Sequence, residues 1–248
     1  MGNLFHWECI RARYNRQILS VFLIILALMI LSVQTERTFF PVITKRIKML
    51  SMFQIYTQFG FLFLGYVYIR GFTMDSKNGT FPFVQQIGYS FRAIMGMKSV
   101  IYIVTTIVYM DIVTVTYAMI AGIQDLDYIL LMIIPLDLGI ITLILFDLLI
   151  SVIFMQVSLA YVIHILIFFL ADIANRSCYG LLNQFDTNSL ATVVFRHFSG
   201  VQINHPTLSK LSLHYQSMKW IYMTLPSIVW IFILLMILFP VLLKKERR

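Results

Sequence analysis

Apolar residues occur along this chain in long blocks separated by short polar segments. The blocks over about 17–33, 50–69, 99–121, 128–154, 159–173 and 218–243 approach the length a helix needs to cross ~30 Å of hydrocarbon. Residues 128–173 form one unbroken apolar stretch of 46, too long for a single crossing and right for two. The reversal is expected near Met155–Ser158, where polarity rises without charge, with Asp147–Ser151 as the second choice. The first block, at 1.5 Å per residue, reaches only ~25 Å, so its ends must snorkel or the helix must extend to Thr35. Ahead of it, Leu4, Phe5, Trp7, Ile10 and Tyr14 alternate with Arg11, Arg13 and Arg16, a pattern for an amphipathic helix lying at lipid headgroups. The pattern therefore predicts an all-α integral membrane protein. It has a single transmembrane domain over residues 1–248, with six transmembrane helices and an N-terminal amphipathic helix.

Two polar segments interrupt the blocks at length. Residues 70–98 hold Arg70, Lys77, Arg92 and Lys98 against one acid, Asp75, which assigns them to the cytoplasm by the positive-inside rule. Within them Phe81, Phe83, Val84, Ile87, Phe91, Ile94 and Met95 recur at helical spacing. A short amphipathic helix there suits either docking of a cytoplasmic partner or simple attachment to the lipid surface. Residues 174–217, with Arg176, Asn183, Asp186, Arg196, His197, His205, Pro206, Lys210 and His214, are expected to form an extracellular segment of short helices. Both termini then lie in the cytoplasm, with eleven Lys and Arg inside against eight outside. The awkward element is residues 34–49, which place Arg37, Lys45, Arg46 and Lys48 outside.

Composition supports the membrane reading. The chain has 248 residues, 60% hydrophobic and 12% charged, about half the charged fraction of a soluble domain. Its net charge of +8 sits in short segments flanking the apolar blocks, so topology explains it and nucleic acid is not an expected partner. Cys9 and Cys178 fall on opposite faces of this topology, and no disulfide between them is expected. The first block is followed by Gln34-Thr35-Glu36-Arg37 rather than a small-residue cleavage site, and is read as a retained span.

Enzyme chemistry finds no foothold. The chain has no Gly-x-x-x-x-Gly-Lys-Ser/Thr loop, no His-Glu-x-x-His and no Gly-x-Ser-x-Gly. His197, His205 and His214 share one segment, but spacings of eight and nine residues match no common ligand pattern, so no metal site is expected. More informative are the ionisable residues inside the spans: Asp111 in span three, Asp137 and Asp147 in span four, and His164 in span five. A charge at mid-bilayer is costly, so each should face the bundle interior, a subunit interface or a water-filled path. They are candidates for a translocation path or interface. The structural alternative is an acid kept neutral, or bonded to a neighbour such as Tyr109, Thr114 or Thr142.

The 70–98 segment also resembles the cytoplasmic element between spans two and three of ABC-2 type permeases, the membrane subunits of ABC exporters. The matching positions are Asp75, the pair Gly79-Thr80, an apolar helix from Phe81 to Tyr89, Ser90-Phe91-Arg92, and Lys98 opening the third span. Many relatives carry Glu at the place of Asp75 and a proline shortly before the arginine, whereas Pro82 here stands at the helix start. The resemblance implies a dimer of permease subunits, identical or homologous, with an ABC-type ATPase subunit beneath each. Asp75, Gly79, Thr80, Phe81, Phe83, Val84, Ile87 and Arg92 would form the coupling element that the ATPase grips. ATP and magnesium would bind in that partner, and no cofactor in this chain. Small permeases of this kind resemble those that export amphipathic peptides across the bacterial plasma membrane, bacteriocins and modulins among them. Two other readings stay open. One is an ATP-independent carrier using the intramembrane acids; the other is a membrane immunity or sensor protein that binds a peptide.

Overall fold

The computed structural model describes residues 5–10, 16–39, 52, 55–77, 80–123, 126–175 and 221–246. The segments around residues 40–51 and 176–220, with the three clustered histidines and Cys178, lie outside the described residues. Among the described residues the regular structure is all helix, with no strand. After a helical stretch over residues 5–10 come α1 (Arg16–Phe39), α2 (Phe61–Lys77), α3 (Thr80–Gln86), α4 (Phe91–Ala121), α5 (Leu126–Phe154), α6 (Val157–Asn175) and α7 (Ile221–Glu246). A π-helical turn, Tyr56–Gly60, leads directly into α2.

Four of these helices are long and apolar enough to cross a membrane: Arg16–Thr35, Phe91–Ala121, Leu136–Phe154 and Ser227–Glu246. The apolar parts of α2 and α6, Phe61–Met74 and Val157–Phe168, are shorter. They overlap, without matching, the blocks that the sequence pattern assigns to spans two (50–69) and five (159–173). Burial shows which helix the others pack around. In Leu136–Phe154 of α5, 72% of the residues are buried, against 33% in α1 and α4 and 17% in α7. α5 packs on α2, α4, α6 and α7. The outward faces stay apolar, with Val104, Ile112 and Met119 of α4 and Phe232, Met236 and Phe239 of α7 exposed. Such faces suit contact with lipid rather than water.

Local signals explain the breaks. Gly122 takes a left-handed conformation (φ 72°) and closes α4, with Ile123 N–H donating to the Ala118 carbonyl and Gly122 N–H to that of Met119. This double bond pattern satisfies carbonyls that the helix end leaves free. Met155, also with positive φ (51°), ends α5, and the chain turns back at Met155–Gln156. The reversal thus lies within the stretch where polarity rises without charge, while helix runs unbroken through Asp147–Ser151.

Two expected boundaries differ from the sequence reading. The 70–98 segment is not a free-standing loop: residues up to Lys77 continue α2, and α4 begins at Phe91 rather than Ser99. Ser90 caps α4, its hydroxyl accepting from Ala93 N–H at 3.2 Å, and so starts the helix a full eight residues earlier. The apolar helix expected over Phe81–Tyr89 is Thr80–Gln86. It stops because Gly88 (φ 95°) turns left-handed and Tyr89 N–H folds back onto the Val84 carbonyl.

Candidate functional site

Polar groups within the bundle gather at four levels along α2, α4 and α5. At the level where α2 begins, Tyr56 is buried and its hydroxyl donates to the Met110 carbonyl at 3.1 Å and meets Thr114 Oγ1 at 3.3 Å. Asp111 and Asp137 lie within electrostatic reach of that hydroxyl and of each other. One oxygen of each carboxyl is buried with no hydrogen-bond partner.

About 15 Å along α5, ten residues further, Asp147 and His164 meet. Both side chains are fully buried, and His164 Nδ1 and Asp147 Oδ1 share a hydrogen bond of 2.7 Å. The imidazole stacks on Tyr161 (ring centroids 5.8 Å apart) and packs against Phe168 at 4.7 Å. α2 passes directly over it at Gly65, where any side chain would collide with the imidazole. Beside the pair, Tyr68 Oη and Thr106 Oγ1 join α2 to α4 at 2.7 Å.

Below lies a third level. Lys98 is buried, and its Nζ donates to the Gly71 carbonyl at 2.7 Å. The absence of a side chain at Gly71 admits the Tyr102 hydroxyl. Lys98 reaches the backbone here because α2, continuing past residue 69, runs alongside the start of α4. At the end of the bundle Arg92 pairs with Glu246, which ties the start of α4 to the last turn of α7.

The coupling residues named from the sequence sit at this same end. Asp75 is in the last turn of α2, and Thr80, Phe81, Phe83 and Val84 lie on α3. Val84 is buried and holds α3 to the bundle, while Phe83 and Ile87 stand exposed at 62% and 58%. Arg92 is exposed and paired with Glu246. Gly79 lies outside the described residues.

The structure brings the four intramembrane residues together in two pairs, Asp111 with Asp137 and Asp147 with His164. The neighbours expected to satisfy the aspartates are engaged elsewhere. Thr114 faces Tyr56, Thr142 donates to the Leu138 carbonyl, and the Tyr109 ring packs on Phe22. Sequence reasoning missed Tyr56, Tyr68, Gly71 and Glu246. A tyrosine at the polar edge of an apolar block was the available signal for Tyr56, whereas Glu246 had none, since its partner is 154 positions away. Among the described residues no group of three or more His, Cys, Asp or Glu converges as a metal site. Comparison with protein-family models, with curated proteins and with solved structures finds no match to this chain.

Proposed function

We propose that this chain is the membrane-spanning permease subunit of an ATP-driven exporter, working as a dimer on separate ABC-type ATPase subunits in a bacterial plasma membrane. The observation that carries the reading is the surface of α3. Phe83 on α3 and Ile87 in the turn that follows it stand exposed, one turn apart, while Val84 between them is buried against the bundle. Large exposed apolar side chains on a short, fixed helix are the anchors a groove on a partner can use. α3 is also placed to pass on a push. It follows the end of α2 at Lys77 and precedes α4 within a few residues, and those helices flank the buried pairs. In this reading the α3 end, with Arg92, Lys244 and Lys245, faces the cytoplasm, in keeping with the positive-inside rule. All six apolar blocks cross the membrane, and the cargo is an amphipathic peptide passing near Asp111 and Asp137. The ATPase shifts the bundle between inward and outward states by gripping one of them more tightly.

The test is a double substitution, F83A/I87A, in the chain co-expressed with an ABC-type ATPase. ATPase stimulation by the permease is expected to fall at least tenfold while the chain keeps its thermal stability, the tenfold corresponding to ~1.4 kcal/mol of lost contact. Unchanged stimulation overturns the reading. Cargo transport by the purified chain alone, driven by a proton gradient, moves the assignment to a carrier, and peptide binding without flux moves it to a sensor or immunity protein.

A further inference from the structure

Asp147 and His164 make a single hydrogen bond to each other and no other to any described residue; Asp147 Oδ2 and His164 Nε2 are left bare. Among the described residues the charge-bearing group paired with Asp147 is His164. Around them stand groups that carry no charge near neutral pH. α2 contributes Tyr68 and, through the ring of Tyr161, Tyr66; α4 contributes Thr106 and, behind Tyr68, Tyr102; α6 contributes Tyr161 itself. Lys98, one turn before Tyr102 on α4, is engaged on the Gly71 carbonyl. On α7, Ser227 is buried, and the charged residues Lys244, Lys245 and Glu246 sit in its last turn.

Proton counting then follows from burial. With one proton between them, whether it rides on the imidazole beside a carboxylate and a second ring N–H or on the acid, the pair as a whole is neutral. Removing that proton buries a net negative charge, and adding another buries a net positive one. Both are strongly opposed for side chains buried this completely. What keeps water away from the ring on one side is the bare backbone of α2 at Gly65, in direct contact with the imidazole. α2 runs without interruption from there to Lys77, just before α3.

We propose that the Asp147–His164 pair is a proton-binding site in the core of the bundle, sealed by α2 at Gly65, which exchanges its single proton only when α2 moves away. The ligand is the proton. The inference stands on contacts within one chain, so it holds whichever engine drives the bundle, and its test needs no ATPase.

The test uses the full chain in lipid nanodiscs with nitrogen-15 labelled histidine. The His164 signal is identified by its loss in H164Q, and exchange of the proton it shares with Asp147 is followed on it after transfer to deuterium oxide. That proton is expected to exchange more slowly than those of histidines on the surface of the chain. In D147N, which preserves shape but removes the acid that shares the proton, the signal of the bonded ring nitrogen is expected to shift. In G65A the exchange is expected to quicken, because α2 is forced off the pair. Fast exchange of the wild-type proton or an unaltered signal in D147N overturns the site. A folded G65A in which His164 stays locked overturns the seal, and the wild-type exchange rate decides the seal if G65A does not fold.

Discussion

At Gly65 the helix backbone lies against the imidazole of His164, and at Gly71 against the Tyr102 hydroxyl. Neither contact survives a methyl group unless a ring or a helix moves. Overpacking of this kind typically costs about 1–3 kcal/mol. G65A and G71A are each expected to lower the melting temperature of the detergent-solubilised chain, which thermal unfolding checks. At Gly88, by contrast, a methyl would meet nothing, and the cost of alanine comes only from the left-handed backbone. The hydroxyl bonds are weaker. Y68F removes the contact with Thr106, and interhelical hydrogen bonds in membranes are worth ~0.6 kcal/mol on average. Its loss should therefore be several times smaller than that of D147A, which strands a buried partner at a cost of about 3–5 kcal/mol. Equal losses in Y68F and D147A would refute the ranking.

Among the numbered helices α3 is the shortest; Gly88 closes it, and Ser90 caps the helix that follows. A left-handed backbone costs a residue with a side chain about 1–2 kcal/mol. G88A is therefore expected to loosen α3 alone. Amide exchange over residues 83–89 should quicken while the melting temperature of the bundle stays within error. α5 is the opposite case. Its side chains are buried on nearly every side between Leu136 and Ile150, so substitutions there reach every neighbouring helix. The helical period that marks one apolar face on a surface helix is absent here. Leu143, Ile144, Leu145, Phe146, Leu148, Leu149 and Ile150 are all buried, and a helix apolar all round is what a central position requires.

Over the whole molecule, Arg92–Glu246 spans 154 positions of sequence, joining the start of α4 to the end of α7. Both partners are partly exposed, so the pair is expected to couple by no more than about 1 kcal/mol. A double-mutant cycle with R92A and E246A, read by thermal unfolding at low and high salt, checks this; a larger, salt-insensitive coupling would contradict it. The contact sits at the same end as α3, so in the exporter reading its loss should affect coupling more than stability.

Much of this architecture can be read from hydrophobic block length alone, because a bilayer demands about twenty apolar residues per crossing and tolerates few charges within them. That demand locates the helices, the reversal near Met155 and the four ionisable residues that need company. Small residues at Gly60 and Gly65 likewise announce close helix contact, and Gly65 provides one. Which polar group meets which is a different matter. Asp147 and His164 are seventeen positions apart and Tyr56 and Thr114 fifty-eight. Such pairings depend on the rotation and depth at which α2, α4, α5 and α6 pack, and apolar surfaces facing one another leave both nearly free. Block pattern therefore determined that acids and an imidazole would lie inside. Only the packed bundle decided that one acid takes the imidazole, that two others face a tyrosine, and that a bare glycine covers the buried pair.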